Sequence, residues 1–114
     1  MPNDNTNLAE TLLRGWTSGD SSAARRTLAD NVEFLGPKGQ TSGADDYIKG
    51  VAGFAKMIAG VEIKTSVSEG DNVVLIYDLI TRSGTRIPTA GHYTLRDGKI
   101  ASVRAYFDPT KLDG

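Results

Sequence analysis

Residues 61–107, VEIKTSVSEGDNVVLIYDLITRSGTRIPTAGHYTLRDGKIASVRAYF, decide most of the predicted fold. Apolar and polar side chains alternate along much of this stretch with a period of two, which is typical of half-buried β-strands. We predict strands over 61–68, 73–81, 86–95 and 99–107, with a short turn before each of the last three. Asp97-Gly98, in the last turn, is a pair favoured in type I′ hairpins. Consecutive strands joined by short turns form an antiparallel meander.

The sequence before the meander has helical spacing instead. A first helix, with Asn7 at its N-cap, and a second one, with Asp20, Ser21 or Ser22 at its N-cap, are followed by a third from about residue 44 to 58. A short strand at 31–35 and a glycine-rich loop up to residue 43 lie between the last two. The apolar positions that recur at helical spacing are Leu8, Leu12 and Trp16, then Ala24 and Leu28, then Tyr47, Val51, Phe54 and Ile58. Because helices precede strands instead of alternating with them, the fold class is α+β.

Length and composition limit the function classes. The 114 residues predict a single domain, 1–114, with residues 1–6 as a frayed tail. The net charge of −1 lacks the basic excess of a nucleic-acid binder, and no apolar run is long enough for a membrane helix. The polar N-terminus lacks the layout of a signal peptide, so we expect a cytoplasmic protein. With no cysteine and one histidine, thiolate catalysis and Cys/His metal sites are excluded.

The predicted strand at 73–80, VVLIYDLI, is apolar on both faces. Both faces of such a strand have to be buried, so another layer must pack against each side of the sheet. The three helices can cover one side. We therefore expect a second copy of the chain to cover the other, as a homodimer formed through the outer sheet face.

Several short segments occur in an order typical of one superfamily. They are Ser18-Gly19-Asp20, Asn31-Val32-Glu33-Phe34, Thr41-Ser42-Gly43, Asp97-Gly98-Lys99-Ile100 and Val103-Arg104-Ala105-Tyr106-Phe107-Asp108. The chain resembles the nuclear-transport-factor-2-like superfamily, in particular its SnoaL-like and ketosteroid-isomerase-like group of polyketide cyclases, isomerases and epoxide hydrolases. The resemblance implies three N-terminal helices packed on a curved antiparallel sheet, a cone-shaped, cystatin-like roll that encloses a pocket for a small hydrophobic molecule.

The family's catalytic residues are largely absent. At the positions of the ketosteroid isomerases' general base, oxyanion-hole tyrosine and protonated aspartate, this chain has Phe34, Leu12 and Gly91. The chain is therefore not a ketosteroid isomerase by the usual residues. Of the aspartate–arginine–aspartate set of limonene-type epoxide hydrolases, Asp78 is present, whereas Ile76 and Ala105 replace the other two.

The resemblance also assigns the pocket-facing side of each strand. It points Val74, Ile76, Asp78 and Ile80 inward and Val73, Leu75, Tyr77 and Leu79 outward, with Gly91, Tyr93, Leu95, Val103, Ala105 and Phe107 inward. Ile58 would help to close the chamber from the helical side. Asp78 is then the candidate catalytic residue. The candidate substrate-binding residues are Trp16, Phe34, Tyr47, Val51, Phe54, Met57, Ile76, Tyr93 and Val103.

Three interpretations of Asp78 remain open. As a desolvated pocket acid it would have a raised pKa and transfer protons near neutral pH. As a structural acid it would accept hydrogen bonds from Tyr47, Tyr93 or Trp16. A different strand register would leave it exposed. His92 alternates with Tyr93 and is predicted to lie on the outer face.

Two functions follow from these alternatives. One is an isomerase, cyclase or hydrolase that acts on a small hydrophobic substrate by acid–base chemistry. The other is a non-catalytic ligand-binding or dimerisation module of the same fold. Neither requires a metal or nucleotide cofactor, and we find no motif for one.

Overall fold

The computed structural model describes residues 4–113, which form three helices packed on one six-stranded, curved and unclosed sheet. The helices are α1 (Asp4–Thr17), α2 (Ser21–Arg26) and α3 (Ala44–Ala55). The strands are β1 (Leu28–Gly36), β2 (Gly39–Ser42), β3 (Ile58–Glu69), β4 (Asn72–Thr81), β5 (Arg86–Arg96) and β6 (Lys99–Phe107), and a 3-10 helix follows at Pro109–Asp113. This arrangement confirms the predicted α+β fold.

The strand order in the sheet is β2-β1-β6-β5-β4-β3. The meander β3-β4-β5-β6 is antiparallel, as predicted, and the Asp97-Gly98 turn has the positive φ angles of 54° and 76° that a type I′ turn requires. β1 pairs with β6 in parallel, so the sheet is mixed, whereas an antiparallel sheet was predicted.

The helix boundaries differ from the predicted ones at several points. α1 starts at Asp4, so the predicted N-cap at Asn7 is wrong. Residues 4–6 of the predicted tail are helical, and residues 1–3 lie outside the described residues. Asp20 caps α2 as predicted, since its Oδ1 accepts from the Ala23 N–H at 3.1 Å. α2 and α3 both end earlier than predicted. Leu28 and Ile58 begin strands instead, because Leu28 pairs with Ile100 of β6 and Ile58 with Thr81 of β4.

The predicted loop at 36–43 contains an additional strand. β2 pairs with β1 through a tight turn in which Gly36 faces Gly39. Its four residues include only one apolar methyl, on Thr41, so strand periodicity does not reveal it. This hairpin matters for the site because it forms one rim of the chamber described below.

The core lies between the helices and the inner face of the sheet. Its fully buried large side chains are Leu12, Leu13, Val32, Val73, Leu75, Ile87 and Ile100. β3 changes faces along its length, because an irregularity between Ile63 and Thr65 interrupts its pairing with β4. Ile63 therefore pairs with Tyr77 of the inner face, and Thr65 with Ile76 of the outer face.

The turn between β4 and β5 sets the orientation of β4. Thr81 N–H donates to the Thr85 carbonyl oxygen at 2.9 Å, and Ile80 pairs with Arg86, so the loop holds three residues, Arg82–Gly84. Gly84 closes it with a φ of 91°, as three-residue hairpin loops require. A four-residue loop, 82–85, was implied by the predicted strands. The resemblance assigned the even-numbered residues of β4 to the inner face, and the observed register places them on the outer face instead.

Candidate functional site

Two neighbouring cavities lie between α3, β1 and the inner face of the sheet. The inner one has a volume of about 60 Å³ and the outer one about 260 Å³. They share part of their lining, which consists of Phe34, Tyr47, Val51, Phe54 and Phe107. We call them the inner and the outer chamber. The hairpin of β1 and β2 and the exposed Gly50 of α3 complete the outer chamber.

Three buried tyrosines line the inner chamber: Tyr47 from α3, Tyr77 from β4 and Tyr93 from β5. Burial raises the pKa of each above the ordinary value of 10.0. Repulsion from the charge of an ionised Tyr77 raises the pKa of Tyr47 and Tyr93 further. A hydrogen bond from Tyr93 to Tyr77 acts in the opposite direction on the pKa of Tyr77. The three side chains line the same small cavity, and their hydroxyl groups stay protonated at neutral pH.

Two glycines make room for aromatic rings of the site. A Cβ on Gly91 would lie 2.7 Å from the hydroxyl oxygen and 3.0 Å from Cζ of Tyr93, so this ring folds back over the glycine on the same strand. A Cβ on Gly36 would lie 2.8 Å from Cζ of Phe34. Both distances are shorter than a carbon or oxygen contact allows. Each glycine therefore leaves the space that the ring two residues before or after it occupies.

The remaining aromatic rings form a continuous wall. Trp16 meets Phe54 edge to face with ring centroids 5.6 Å apart, and Phe54 meets Phe107 in the same way at 6.2 Å. Phe34 and Tyr47 are tilted to each other at 5.4 Å. The wall is apolar, which suits a flat organic molecule.

Seven of the nine predicted substrate-binding residues line the inner chamber. They are Trp16, Phe34, Tyr47, Val51, Phe54, Tyr93 and Val103. Their role in binding stays a prediction. Met57 and Ile76 do not line either chamber; they are 41% and 40% exposed. Met57 follows the end of α3, and Ile76 lies on the outer face of β4, where the three-residue loop places it.

The prediction that Asp78 faces the chamber is wrong. Val74, Ile76, Asp78 and Ile80 lie on the outer face, and Val73, Leu75, Tyr77 and Leu79 lie inside. The Asp78 carboxylate is 3.1 Å from the Arg86 guanidinium, and its side chain is 18% exposed. The predicted alternative partners Tyr47, Tyr93 and Trp16 lie on the other side of the sheet. The structure thus corresponds to the third interpretation, in which a different register places Asp78 outside.

Arg86 links Asp78 to a second acid on the outer face. Its guanidinium is 3.2 Å from a Glu62 carboxylate oxygen, and Lys64 pairs with the same oxygen. Hydrogen bonds from Lys64 and then Arg86 lower the pKa of Glu62, and the hydrogen bond to Asp78 is the main cause that raises the pKa of Arg86. This group is a surface ion-pair network, an environment that stabilises charged carboxylates.

His92 lies on the outer face, as predicted. It pairs across the strands with Arg104, and its Nε2 is 2.9 Å from Oδ1 of Asn72. Within the described part of the chain, no group of three or more histidine, cysteine or acidic side chains is arranged to hold a metal ion. Among the same residues, no helix combines the length and the apolar character that a membrane crossing requires.

Sequence reasoning missed several residues of the site. Tyr77, Leu79 and Thr89 line the inner chamber, and Lys38, Gln40 and Thr41 line the outer one. The length of the β4–β5 loop is the signal that identifies the first group, because Gly84 in a three-residue loop gives Tyr77 the same face as Tyr93. The Thr41 hydroxyl oxygen is buried without a hydrogen-bond partner among the described residues.

Comparisons with known proteins agree with this architecture. A sequence model of the SnoaL-like domain matches residues 9–103. A protein from Kribbella flavida DSM 17836 is 28% identical with a TM-score of 0.87, over 94% of this chain and 88% of that one. A nuclear-transport-factor-2-like protein of unknown function from Cytophaga hutchinsonii ATCC 33406 is 28% identical with a TM-score of 0.83, over 96% and 95%.

An LEH-like epoxide hydrolase from M. tuberculosis has a similar structure, with a TM-score of 0.80 over 96% of this chain and 86% of that one. At 17% identity this similarity concerns the fold alone. No curated protein matches the sequence at a significant level.

Proposed function

The chain belongs to the SnoaL-like domain family. From this premise we propose that it binds one small, largely apolar organic molecule across the two neighbouring chambers, with its tyrosine hydroxyls as the polar contact. The observation that carries the proposal is the convergence of Tyr47, Tyr77 and Tyr93 at the inner end of a cavity with an apolar wall. A mostly apolar cavity with a few converging polar groups is the usual form of a small-molecule site.

The hydroxyl groups of the three tyrosines indicate which polar group the ligand carries. A phenol has one proton to donate. If Tyr93 gives its proton to the Tyr77 oxygen, the Tyr77 proton is left to donate to another acceptor. Because these side chains remain protonated, the inner chamber accommodates an acceptor such as a carbonyl oxygen. The apolar body of the ligand then occupies the outer chamber.

The lining favours binding over acid–base catalysis. General acid–base chemistry near neutral pH needs a group that exchanges a proton there. The residues that line the two chambers include no carboxylate and no histidine, and the raised pKa of the three phenols makes them weak acids whose phenolate form is scarcely populated at neutral pH. Asp78, on the outer face, has no access to this cavity. We therefore infer a ligand-binding module.

The experiment is a calorimetric titration with 2-acetylnaphthalene, a neutral bicyclic ketone. Removing the Tyr77 hydroxyl with Tyr77→Phe is expected to weaken binding roughly 2- to 12-fold, as the loss of one neutral hydrogen bond does. Tyr106→Phe is the matched control, since Tyr106 is 56% exposed on the outer face. Equal affinities of the wild-type protein and Tyr77→Phe would contradict the assigned role of the hydroxyls.

We also propose that two copies associate through the outer sheet face. Support comes from its apolar side chains, which include Val74, Ile76, Ile80, Pro88, Ala90 and Tyr106. The same face carries both acids and bases, with Asp78 and Glu62 near Arg86 and with Arg104 further along. A symmetric pair brings the same patch of both copies together, so a face of mixed charge can match itself.

A further inference from the structure

One charged side chain lines the two chambers, and it is a lysine. Lys38 contributes to the outer chamber from the turn between β1 and β2, beside Gly36, Pro37 and Gly39. The other residues around both cavities are apolar or uncharged. We propose that the ligand is an aromatic carboxylic acid, whose carboxylate lies at the outer rim against Lys38 while its apolar body extends along the aromatic lining and its acceptor group meets the tyrosine hydroxyls. This inference rests on the proposed ligand-binding function.

Lys38 is free to serve a ligand. Within residues 4–113 the ion pairs involve Arg14, Arg25, Lys64 and Arg86 as the basic partners, so Lys38 is not neutralised by an acid of the described chain. Its side chain is exposed at the rim, where Gln40 and Thr41 also line the cavity. A single cation at the mouth of an apolar cleft attracts anions, because the low-dielectric walls focus its field.

The lining of the inner chamber also favours an anionic ligand over a cationic one. Tyr47, Tyr77 and Tyr93 present protonated hydroxyls, and no acidic side chain lines either chamber. A cationic ligand would therefore meet a lysine at the rim and find no counter-charge inside. A neutral ligand fits the apolar wall but leaves Lys38 unused. The carboxylate of an acid pairs with Lys38 at the rim, and its apolar body packs against the aromatic wall. This holds despite the overall charge of −1 of the protein.

The test compares two probes of nearly equal shape, naphthalene-2-carboxylate and naphthalene-2-carboxamide, by calorimetric titration at low ionic strength. The carboxylate is expected to bind the wild-type protein more tightly than the amide. Lys38→Gln is expected to weaken carboxylate binding roughly 1.5- to 5-fold, as an exposed ion pair does, and to leave amide binding unchanged. Added salt should weaken carboxylate binding in the wild-type protein and have little effect in Lys38→Gln.

Lys56→Gln is the control, because Lys56 is exposed at the end of α3 and lines neither chamber. It should leave both affinities unchanged. Amide binding at least as tight as carboxylate binding, or equal losses in Lys38→Gln and Lys56→Gln, would overturn the assignment of an acid while the binding function stands. If neither probe binds the wild-type protein, the proposed function itself fails, and the ligand class fails with it.

Discussion

The ring of Tyr93 lies over Gly91, so closely that a Cβ on residue 91 would be 2.7 Å from the tyrosine hydroxyl oxygen. The two residues share the inner face of β5, two positions apart. The missing side chain of one therefore sets the position of the polar group of the other. Since Tyr93 belongs to the group of phenols at the inner end of the cavity, Gly91 is a positioning residue of the site.

Gly91→Ala should displace the Tyr93 ring. The added methyl meets Cζ and Cε2 of Tyr93 at 3.0 and 3.3 Å as well as the hydroxyl, so we expect a loss of roughly 1–3 kcal/mol in the free energy of unfolding, as overpacking costs. Urea unfolding measures this loss, and 2-acetylnaphthalene binding should weaken in parallel. Gly53→Ala is the control, since no atom lies within 4 Å of its Cβ position. Equal stability of Gly91→Ala and the wild-type protein would contradict the close contact.

Alkaline pH should destabilise the protein steeply. The folded-state pKa of Tyr47, Tyr77 and Tyr93 is raised above 10.0, so these groups keep their protons in the native state when the unfolded chain has lost them. Their contribution to stability is complete below pH 10.0 and decreases above it, by about 1.4 kcal/mol per pH unit for each tyrosine.

Ultraviolet absorbance of tyrosinate, recorded together with circular dichroism, checks this pH dependence. The absorbance of the three buried phenols should rise only with unfolding. A rise of the full four-tyrosine signal near pH 10 with an intact fold would show that the phenols are accessible to water.

Ile76→Lys should separate the proposed dimer. Ile76 is 40% exposed at the middle of β4 on the outer face, and a charge there would be buried between two copies. Sedimentation equilibrium is expected to give a dimer for the wild-type protein and a monomer for the variant, with unchanged circular dichroism. Met57→Lys introduces the same charge at a position that is 41% exposed and outside the sheet, and it should leave the dimer intact. A monomeric wild-type protein would refute the interface.

Much of the fold is readable from local signals in the sequence. Asp97-Gly98 predicts its type I′ turn because both residues tolerate positive φ, and Asp20 predicts the start of α2 through its capping carboxylate. β2 has no such signal, since Gly39–Ser42 is short and polar. It forms because β1 offers a partner edge, which is a tertiary effect.

The site was harder to predict for one physical reason. β4 is apolar on both faces, so alternation does not distinguish Tyr77 from Asp78 as the inward residue. The length of the Arg82–Gly84 loop decides between them, and an error of one residue exchanges the faces. Side chains from the helices and from β5, such as Trp16, Tyr47 and Tyr93, were unaffected by this error and line the cavity.

The proposal that a small molecule occupies the two neighbouring chambers can be tested by closing the outer one. Gly50 lines that chamber, and its Cβ position has no neighbour within 4 Å, so Gly50→Leu adds an apolar side chain at the mouth from an unobstructed backbone position. Gly53→Leu makes the same change on the same helix, equally unobstructed and away from both chambers. In calorimetric titrations with 2-acetylnaphthalene, the account predicts binding at one site in the wild-type protein and in Gly53→Leu, and a loss of binding in Gly50→Leu. Equal binding in all three proteins, or none in the wild-type protein, would contradict it.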